Sequence, residues 1–191
     1  MTADSPSGAA PTLWTIGHST RAWEVFVSML NEAGITALVD VRRFAGSRRH
    51  PQFCSDTMAQ MLPHAGIAYL AVPELGGRRT PRSDTRNLAW RNASFRGYAD
   101  YMETAPFQHA AARLADLARA QPTAVMCAEA LWWQCHRSLI ADDFKARGWD
   151  VIHLMSPGRS DEHPYTSAAR VVAGQLDYTA VEGNNPQQGL F

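Results

Sequence analysis

Five short apolar segments, each separated from the next by a helical pattern, constrain the fold more than any other feature of this sequence. The segments cover 13–17, 35–41, 67–72, 123–129 and 151–155. They are apolar along their length instead of at every second residue, as is typical of strands buried on both faces of a parallel sheet. The intervening helices supply two covering layers. The sequence therefore predicts a three-layer α/β fold with a mainly parallel five-stranded sheet.

The helices are indicated by the spacing of apolar residues and by residues that end helices. Trp23, Phe26, Val27 and Leu30 follow the i, i+3, i+4, i+7 spacing of one helical face, and Gly34 ends that helix. Further helical patterns cover 55–66, 95–120 with a break near Pro106, and 135–148.

Length and composition favour one domain. A chain of 191 residues can bury a core without disulfides or metals. We expect a single α/β domain over 12–178 between a flexible N-terminal tail, 1–11, and a flexible C-terminal tail, 179–191, because both ends are polar and rich in turn-forming residues.

Cysteine usage and hydropathy indicate a compartment. The chain has three cysteines, an odd number, and no signal-peptide pattern at its start. No apolar stretch approaches the roughly 20 residues of a membrane span. We therefore expect a cytoplasmic protein with reduced thiols, and neither a secreted disulfide-bonded protein nor a membrane protein.

Positive charge is concentrated in the middle of the chain. The formal net charge is zero, which argues against a general polyanion binder. Between Arg42 and Arg96, however, there are ten arginines and three acidic residues. Because the guanidinium group suits bidentate contact with phosphate or carboxylate, this region favours an anionic substrate.

Polar and chemically able residues follow the strands where they end. In parallel sheets such residues meet at one edge, where ligands bind. We expect the fifth strand to end at His153 and to bring this residue to the same edge. As catalytic candidates we assign Cys127, Glu129, Cys135, His136 and His18. As substrate-binding candidates we assign Ser19, Asp40, Arg42, Arg48, Glu74, Gly76, Gly77, Arg78 and Arg137.

The cysteines allow several interpretations. Cys135 precedes a helix, whose free N–H groups and positive dipole end favour a thiolate. Cys127 stands at the end of a strand. Either cysteine can be a nucleophile, with His136 or Glu129 as the neighbouring base. Buried, inert thiols are the alternative. A metal site needs three or four ligands, but the Cys-x7-Cys spacing matches no common zinc motif, so no metal is assigned and the cofactor is left open.

Other candidates have structural alternatives. His18 can bind phosphate, act as acid or base, or pack against a turn. Asp40 and Arg42 can pair with each other. Gly76 and Gly77 can permit close approach of a phosphate or form a turn.

Five motifs occur in order along most of the chain: WTIGHST (14–20), VDVRRFAGSRRHPQF (39–53), VPELGGRR (72–79), FRGYADYM (95–102) and CAEALWWQCHRSLIAD (127–142). Together they resemble the family of domain of unknown function 488, from about Thr15 to HPYT at 163–166. The resemblance implies an α/β fold and no established reaction. It implies the same strand-end residues: His18, Asp40, Arg42, Cys127, Glu129, Cys135, His136 and Arg137. Ala45 stands where many members have proline, so the resemblance does not carry over a rigid loop at this position.

The last five residues, QQGLF (187–191), resemble the peptide with which bacterial DNA polymerases and repair proteins bind the sliding clamp. Such a peptide inserts an apolar pair into surface pockets while a glutamine fixes its orientation. The partner-binding candidates are Gln187, Leu190 and Phe191. The alternative is that Leu190 and Phe191 pack on the domain.

These observations favour an enzyme of unassigned reaction class that acts on nucleic acid or a nucleotide, in DNA repair. Two alternatives remain: a non-catalytic nucleic-acid-binding adaptor recruited by the clamp, and a small-molecule enzyme of thiol or anion metabolism.

Overall fold

A six-stranded sheet forms the centre of the protein in a computed structural model, which describes residues 9–46 and 49–180. Its strands are β1 (Thr12–Gly17), β2 (Ala37–Asp40), β3 (Ala68–Ala71), β4 (Thr123–Cys127), β5 (Asp150–Ser156) and β6 (Arg159–Glu162). They lie in the order β3-β2-β4-β1-β5-β6. The first five are parallel to their neighbours and β6 is antiparallel to β5. The predicted mainly parallel sheet is confirmed, with one strand more than expected.

The additional strand β6 has a polar sequence, RSDE, at the edge of the sheet. Edge strands need no apolar face, so the apolar pattern that indicated the other strands could not indicate this one. It returns along β5 through a tight turn in which Gly158 has φ +67°.

Five helices connect the strands and cover the sheet: α1 (Trp23–Glu32), α2 (Ser55–Met61), α3 (Ala93–Met102), α4 (Ala105–Ala120) and α5 (Arg137–Ala146). A small hairpin of β7 (Arg170–Val172) and β8 (Gln175–Asp177) follows. The predicted break near Pro106 separates α3 from α4. Among the described residues, we find no helix with the length and apolar character that a membrane crossing requires.

Two apolar clusters lie on opposite faces of the sheet. One includes Phe26, Phe53 and Leu62 from the α1–α2 side, and the other includes Tyr98, Phe107, Leu139 and Phe144 from α3, α4 and α5. Successive strand residues contribute alternately, so Leu38 packs in the first cluster and Val39 in the second. Covering on both faces explains why the strands are apolar along their length.

The parallel strands bring their carboxyl ends to one edge, as expected. Gly17 pairs with Cys127, and Asp40 pairs with Met126 beside it. Gly17 permits close packing here, because a Cβ at this position would collide with the backbone carbonyl of Glu129. His153 does not belong to this edge: β5 continues to Ser156, so His153 lies buried within the strand.

Candidate active site

A cavity of about 240 Å³ opens at the carboxyl edge of the sheet. Its walls come from the segment after β2, the loop before α3, the first turn of α3, and the segment between β4 and α5. The lining residues are Arg42, Arg43, Phe44, Gly77, Arg78, Ser94, Phe95, Cys127, Ala128, Glu129, Gln134, Cys135 and His136. Four catalytic candidates, Cys127, Glu129, Cys135 and His136, are thus brought together.

Two thiols meet in the wall of the cavity. Cys127 ends β4 and Cys135 directly precedes the His136–Arg137 start of α5, yet their Sγ atoms lie 2.6 Å apart. The residues are 1% and 5% exposed, and no disulfide joins them. The β4–α5 connection therefore returns on itself to place both sulfurs at one point.

The environments of the two thiols differ in a way that separates their acidities. Burial raises the pKa of Cys135, but the hydrogen bond from Cys127, the positive charge of Arg137 and the backbone N–H of Arg137 outweigh burial, so that its pKa is lowered overall. Burial raises the pKa of Cys127 well above its ordinary value, and its hydrogen bond to Cys135 adds to this. Cys135 is therefore the more acidic thiol of the pair, and Cys127 is the one that keeps its proton and donates it to the shared hydrogen bond.

His136 is held against Cys135 by its own backbone contact. Its Nε2 lies 3.1 Å from the carbonyl oxygen of Val41, which can only accept, so Nε2 carries the proton. Nδ1 then faces the Sγ of Cys135 at 3.4 Å without a proton. Burial lowers the pKa of His136, so the ring is neutral near pH 7 and can accept a proton at Nδ1.

The ring of His136 fits between Tyr98 and Gly77. The Tyr98 ring lies 5.0 Å away between centroids. A Cβ on Gly77 would lie 2.8 Å from Nδ1 of His136, a distance that side chains do not tolerate. The sequence allowed two interpretations of Gly77, a turn or the close approach of a phosphate. In the structure a group does approach this glycine closely, but it is the imidazole of His136.

Two arginines and an exposed phenylalanine form the mouth of the cavity, which we call the rim (Arg43, Phe44 and Arg78). Phe44 is 65% exposed. The Cζ atoms of Arg43 and Arg78 lie 5.6 and 5.8 Å from the Phe44 ring centroid, and Arg43 donates to the Arg78 carbonyl at 3.1 Å. Arg78 has φ +60°, a left-handed conformation that costs free energy in a non-glycine residue. The rim thus presents positive charge beside an aromatic face.

Arg42 reaches the cavity but is already paired. Its guanidinium donates to both oxygens of Asp40, at 2.6 Å for the shortest contact, and Nη1 donates to Nε2 of His18 at 3.0 Å. His18 donates through Nδ1 to the Ser19 carbonyl. The pKa of His18 is lowered to about 4, mainly by burial, so the ring is neutral near pH 7. Tyr69 completes the cluster by donating to Asp40 at 2.7 Å. His18 and Asp40 therefore orient Arg42 and do not line the cavity.

The remaining candidates lie near the cavity without lining it. Ser19 has φ +48° and its N–H donates to the Ala128 carbonyl, which fixes the segment after β4. The carbonyl of Glu74 accepts from Tyr101, so this residue anchors a loop. Gly76 packs closely against Arg43.

Arg137 supports the cavity from behind. It is 1% exposed, and its Nη2 donates to the carbonyls of Glu129 and Ala130 at 2.9 and 3.2 Å. Arg48, Gln187, Leu190 and Phe191 lie outside the described residues.

A buried chain of hydrogen bonds behind the site was not predicted. Thr15 Oγ1 lies 2.6 Å from Nδ1 of His153, His153 Nε2 lies 2.9 Å from Nδ1 of His163, and His163 Nε2 lies 3.0 Å from Asp142. Because the carboxylate accepts from His163, each preceding group donates toward Asp142. Burial chiefly lowers the pKa of His153, to about 2, so this ring stays neutral. Trp132 stacks on it at 4.5 Å. We call Thr15, His153, His163 and Asp142 the relay.

The sequence held one signal for the relay, the HPYT run that begins at His163, but neither its partners nor its burial follow from spacing. As for metal ligands, the described ranges 9–46 and 49–180 contain no group of three or more histidine, cysteine or acidic side chains positioned around one ion.

In the comparison with protein families, the family described as "Domain of unknown function DUF488" matches residues 22–144. The match covers the rim, both cavity cysteines and most of α5. No curated protein matches the chain, and no solved structure matches it.

Proposed function

We propose that this chain, which belongs to the family described as Domain of unknown function DUF488, is a cysteine-dependent enzyme that acts on a nucleotide or a nucleic acid in DNA repair. The observation that carries the proposal is the position of Cys135. Its sulfur lies at a helix N-terminus, 2.6 Å from the Sγ of Cys127 and 3.4 Å from Nδ1 of His136, in the wall of a cavity with a cationic mouth.

Each residue has a role in this proposal. The Cys135 thiolate attacks an electrophilic centre of the substrate, and the neutral His136 accepts or returns a proton through Nδ1. Cys127 donates a hydrogen bond that stabilises the thiolate. Arg137 contributes positive charge and holds the Glu129–Ala130 backbone, so that the cavity keeps its shape.

The rim supports an anionic substrate with an aromatic part. Arg43 and Arg78 have exposed side chains and can bind phosphate oxygens, whereas Arg42 is neutralised by Asp40. Phe44 is an exposed aromatic side chain on which a base can stack. Glu129 is exposed in the same cavity and can accept from the amino groups of a base.

The test is calorimetric titration of the full chain with a 5′-mononucleotide and with the matching nucleoside. We expect tighter binding of the nucleotide, and about tenfold weaker binding of the nucleotide by Arg43→Met and Arg78→Met, because each loses a charge-assisted hydrogen bond. Arg159→Met is the matched control, since Arg159 is an exposed arginine that does not line the cavity. Equal binding of nucleotide and nucleoside, or rim variants that bind like the control, would contradict the proposal.

Mass spectrometry separates an enzyme from a non-catalytic adaptor. We expect wild-type protein incubated with substrate candidates to carry a covalent adduct on Cys135, and Cys135→Ser to bind the same nucleotide without forming the adduct. An adaptor would bind equally with and without the cysteine and would form no adduct.

Recruitment by the sliding clamp is a second part of the proposal and rests on QQGLF (187–191) alone. A pulldown with purified bacterial clamp should recover the full chain and should fail with the Leu190→Ala, Phe191→Ala double variant. Equal recovery of both proteins would remove this part.

A further inference from the structure

The two sulfur atoms in the cavity wall are close enough to exchange a bond. Their separation of 2.6 Å exceeds a disulfide bond of about 2.05 Å by roughly half an ångström. Both are supplied by well-anchored segments, the end of β4 and the start of α5. Cys54, the third cysteine, does not line the cavity. A nucleophilic cysteine needs no second thiol in contact with it, so the presence of Cys127 at 2.6 Å from Cys135 calls for a separate explanation.

We propose that Cys127 is the resolving thiol of a thiol–disulfide exchange reaction, in which the protein reduces a disulfide that carries negative charge beside the reacting sulfur. The inference rests on the proposed function for two points only: that Cys135 is the nucleophile and that the rim binds the negative charge. The role of Cys127 and the sulfur electrophile are additional to it.

In the first step, the Cys135 thiolate attacks one sulfur of the substrate disulfide. The substrate S–S bond breaks, a bond forms between Cys135 and one half of the substrate, and the other half leaves as a thiolate with the electron pair. The order of the two thiols follows from their environments, since Cys135 is the one that ionises readily and Cys127 the one that keeps its proton.

In the second step, Cys127 attacks the Sγ of Cys135. Its proton passes to Nδ1 of His136, which lies 3.4 Å from the sulfur under attack. The second half of the substrate leaves as a thiolate and takes this proton. The protein dithiol has then lost two electrons and become a Cys127–Cys135 disulfide, while the substrate has gained them and become one thiol and one thiolate, and the thiolate takes up a proton from water. A small thiol or a protein dithiol reduces the enzyme again by the same exchange.

Burial suits Cys127 to this second step. A mixed disulfide on Cys135 fills the cavity, so external thiols cannot easily reach its sulfur. Cys127 lines the same cavity wall beside Cys135 and is only 1% exposed. Its burial protects it from direct modification, while its sulfur stays in contact with that of Cys135.

The probe for the experiment is oxidised glutathione, an anionic disulfide, and 2-hydroxyethyl disulfide is the neutral comparison. Reduced full-length protein is incubated with each probe and quenched in acid. Released thiols are titrated, and cysteine linkages are mapped by mass spectrometry. The proteins are wild type, Cys127→Ser, Cys135→Ser and the control Cys54→Ser.

We expect wild type and Cys54→Ser to release two thiols per chain and to contain a Cys127–Cys135 disulfide. Cys127→Ser should release one thiol and stop with glutathione on Cys135, and Cys135→Ser should not react at the cavity. Wild type should react with oxidised glutathione about tenfold faster than with the neutral probe, after correction for the reactivity of a free thiol with each, because the rim attracts negative charge.

Two outcomes overturn the inference in different ways. If wild type also stops with glutathione on Cys135, Cys127 is not a resolving thiol, although Cys135 remains the nucleophile of the proposed function. If Cys135 reacts neither in wild type nor in Cys127→Ser, both the proposed function and the thiol–disulfide exchange fail. Equal corrected rates with the two probes refute the anionic substrate. If circular dichroism shows that Cys127→Ser does not fold, the test rests on the other two proteins. In that case the inference holds if wild type and Cys54→Ser form the Cys127–Cys135 disulfide, and it fails if they do not.

Discussion

At the scale of single residues, the chemistry of the cavity depends on contacts that hold His136 beside Cys135. The imidazole is fixed by the Val41 carbonyl on one side and by the absence of a side chain at Gly77 on the other. Because Nδ1 is directed at the sulfur by these two contacts, a change of one heavy atom at Gly77 should reach the thiol.

Gly77→Ala should move the imidazole and lower stability by about 1–3 kcal/mol, since the new Cβ overlaps Nδ1 of His136 and the site is buried. Alkylation of Cys135 should slow in the same variant. Gly46→Ala is the matched control, because a Cβ there meets no atom within 4 Å. Urea denaturation and alkylation rates measure the two effects, and identical behaviour of the two variants would refute the packing role of Gly77.

Phe44 offers a second prediction at this scale. Phe44→Ala should weaken nucleotide binding by about 1–3 kcal/mol through the loss of a stacking surface, with little change in stability, because the ring is exposed. Leu88→Ala provides the control, being an exposed apolar residue away from the cavity. Calorimetric titration measures both; if Phe44→Ala binds as tightly as Leu88→Ala, no base stacks on the rim.

At the scale of secondary-structure elements, the relay joins β1 and β5 to α5. Asp142 lies in α5 and accepts from His163, from the N–H and hydroxyl of Thr166, and from the hydroxyl of Tyr178. Four donors from three residues therefore converge on one carboxylate. This arrangement fixes α5, and with it the Cys135–His136 step at its start.

Asp142→Ala should lower the free energy of unfolding by about 3 kcal/mol or more, because it leaves several buried donors without a partner. Asp116→Ala is the matched control: its carboxylate is exposed and pairs only with Arg119 at the surface, so a change below about 1 kcal/mol is expected. Chemical denaturation of the two variants gives the comparison. A loss at Asp142 no larger than at Asp116 would show that the relay does not stabilise the fold.

At the scale of the whole molecule, the pKa values of three histidines are lowered, so that these rings are neutral near pH 7. Burial lowers the pKa of His18 to about 4, that of His153 to about 2, and that of His136 below its ordinary value. The unfolded chain binds protons at these positions once the pH falls below about 6.5, whereas the folded chain does not. Acid should therefore favour the unfolded state.

Stability should fall as the pH is lowered from 6.5 to 5, by up to about 1.4 kcal/mol per pH unit for each of the three histidines. Asp143, whose pKa burial raises, offsets part of this loss because it takes up a proton in the folded state. Urea denaturation at pH 7, 6 and 5 measures the slope. A free energy of unfolding that is constant across this range would contradict the lowered pKa values of the three histidines.

The fold could be predicted further than the site. Continuous apolar strands and intervening helices require a covered parallel sheet, but they do not specify the order of strands, and the polar β6 gives no apolar signal. The strand-end rule predicts that Cys127, Cys135 and His136 lie near one another, and in the structure all three line one cavity. The rule could not show that His18 is hydrogen-bonded to Arg42, because this contact depends on side-chain geometry and not on the direction of the strands. The pairing of His153 with His163 was not predicted either, because β5 extends beyond His153 and because His163 follows the polar strand β6, which gives no apolar signal.

The central claim is that Cys135 is a reactive thiolate within the cavity. The most direct test is to measure the rate at which iodoacetamide alkylates each cysteine separately. With native full-length protein across a range of pH, Cys135 should react ahead of Cys127, with a midpoint below the value of about 8.5 of an ordinary cysteine. The claim is contradicted if Cys135 reacts no faster than Cys127, or only after the protein is unfolded.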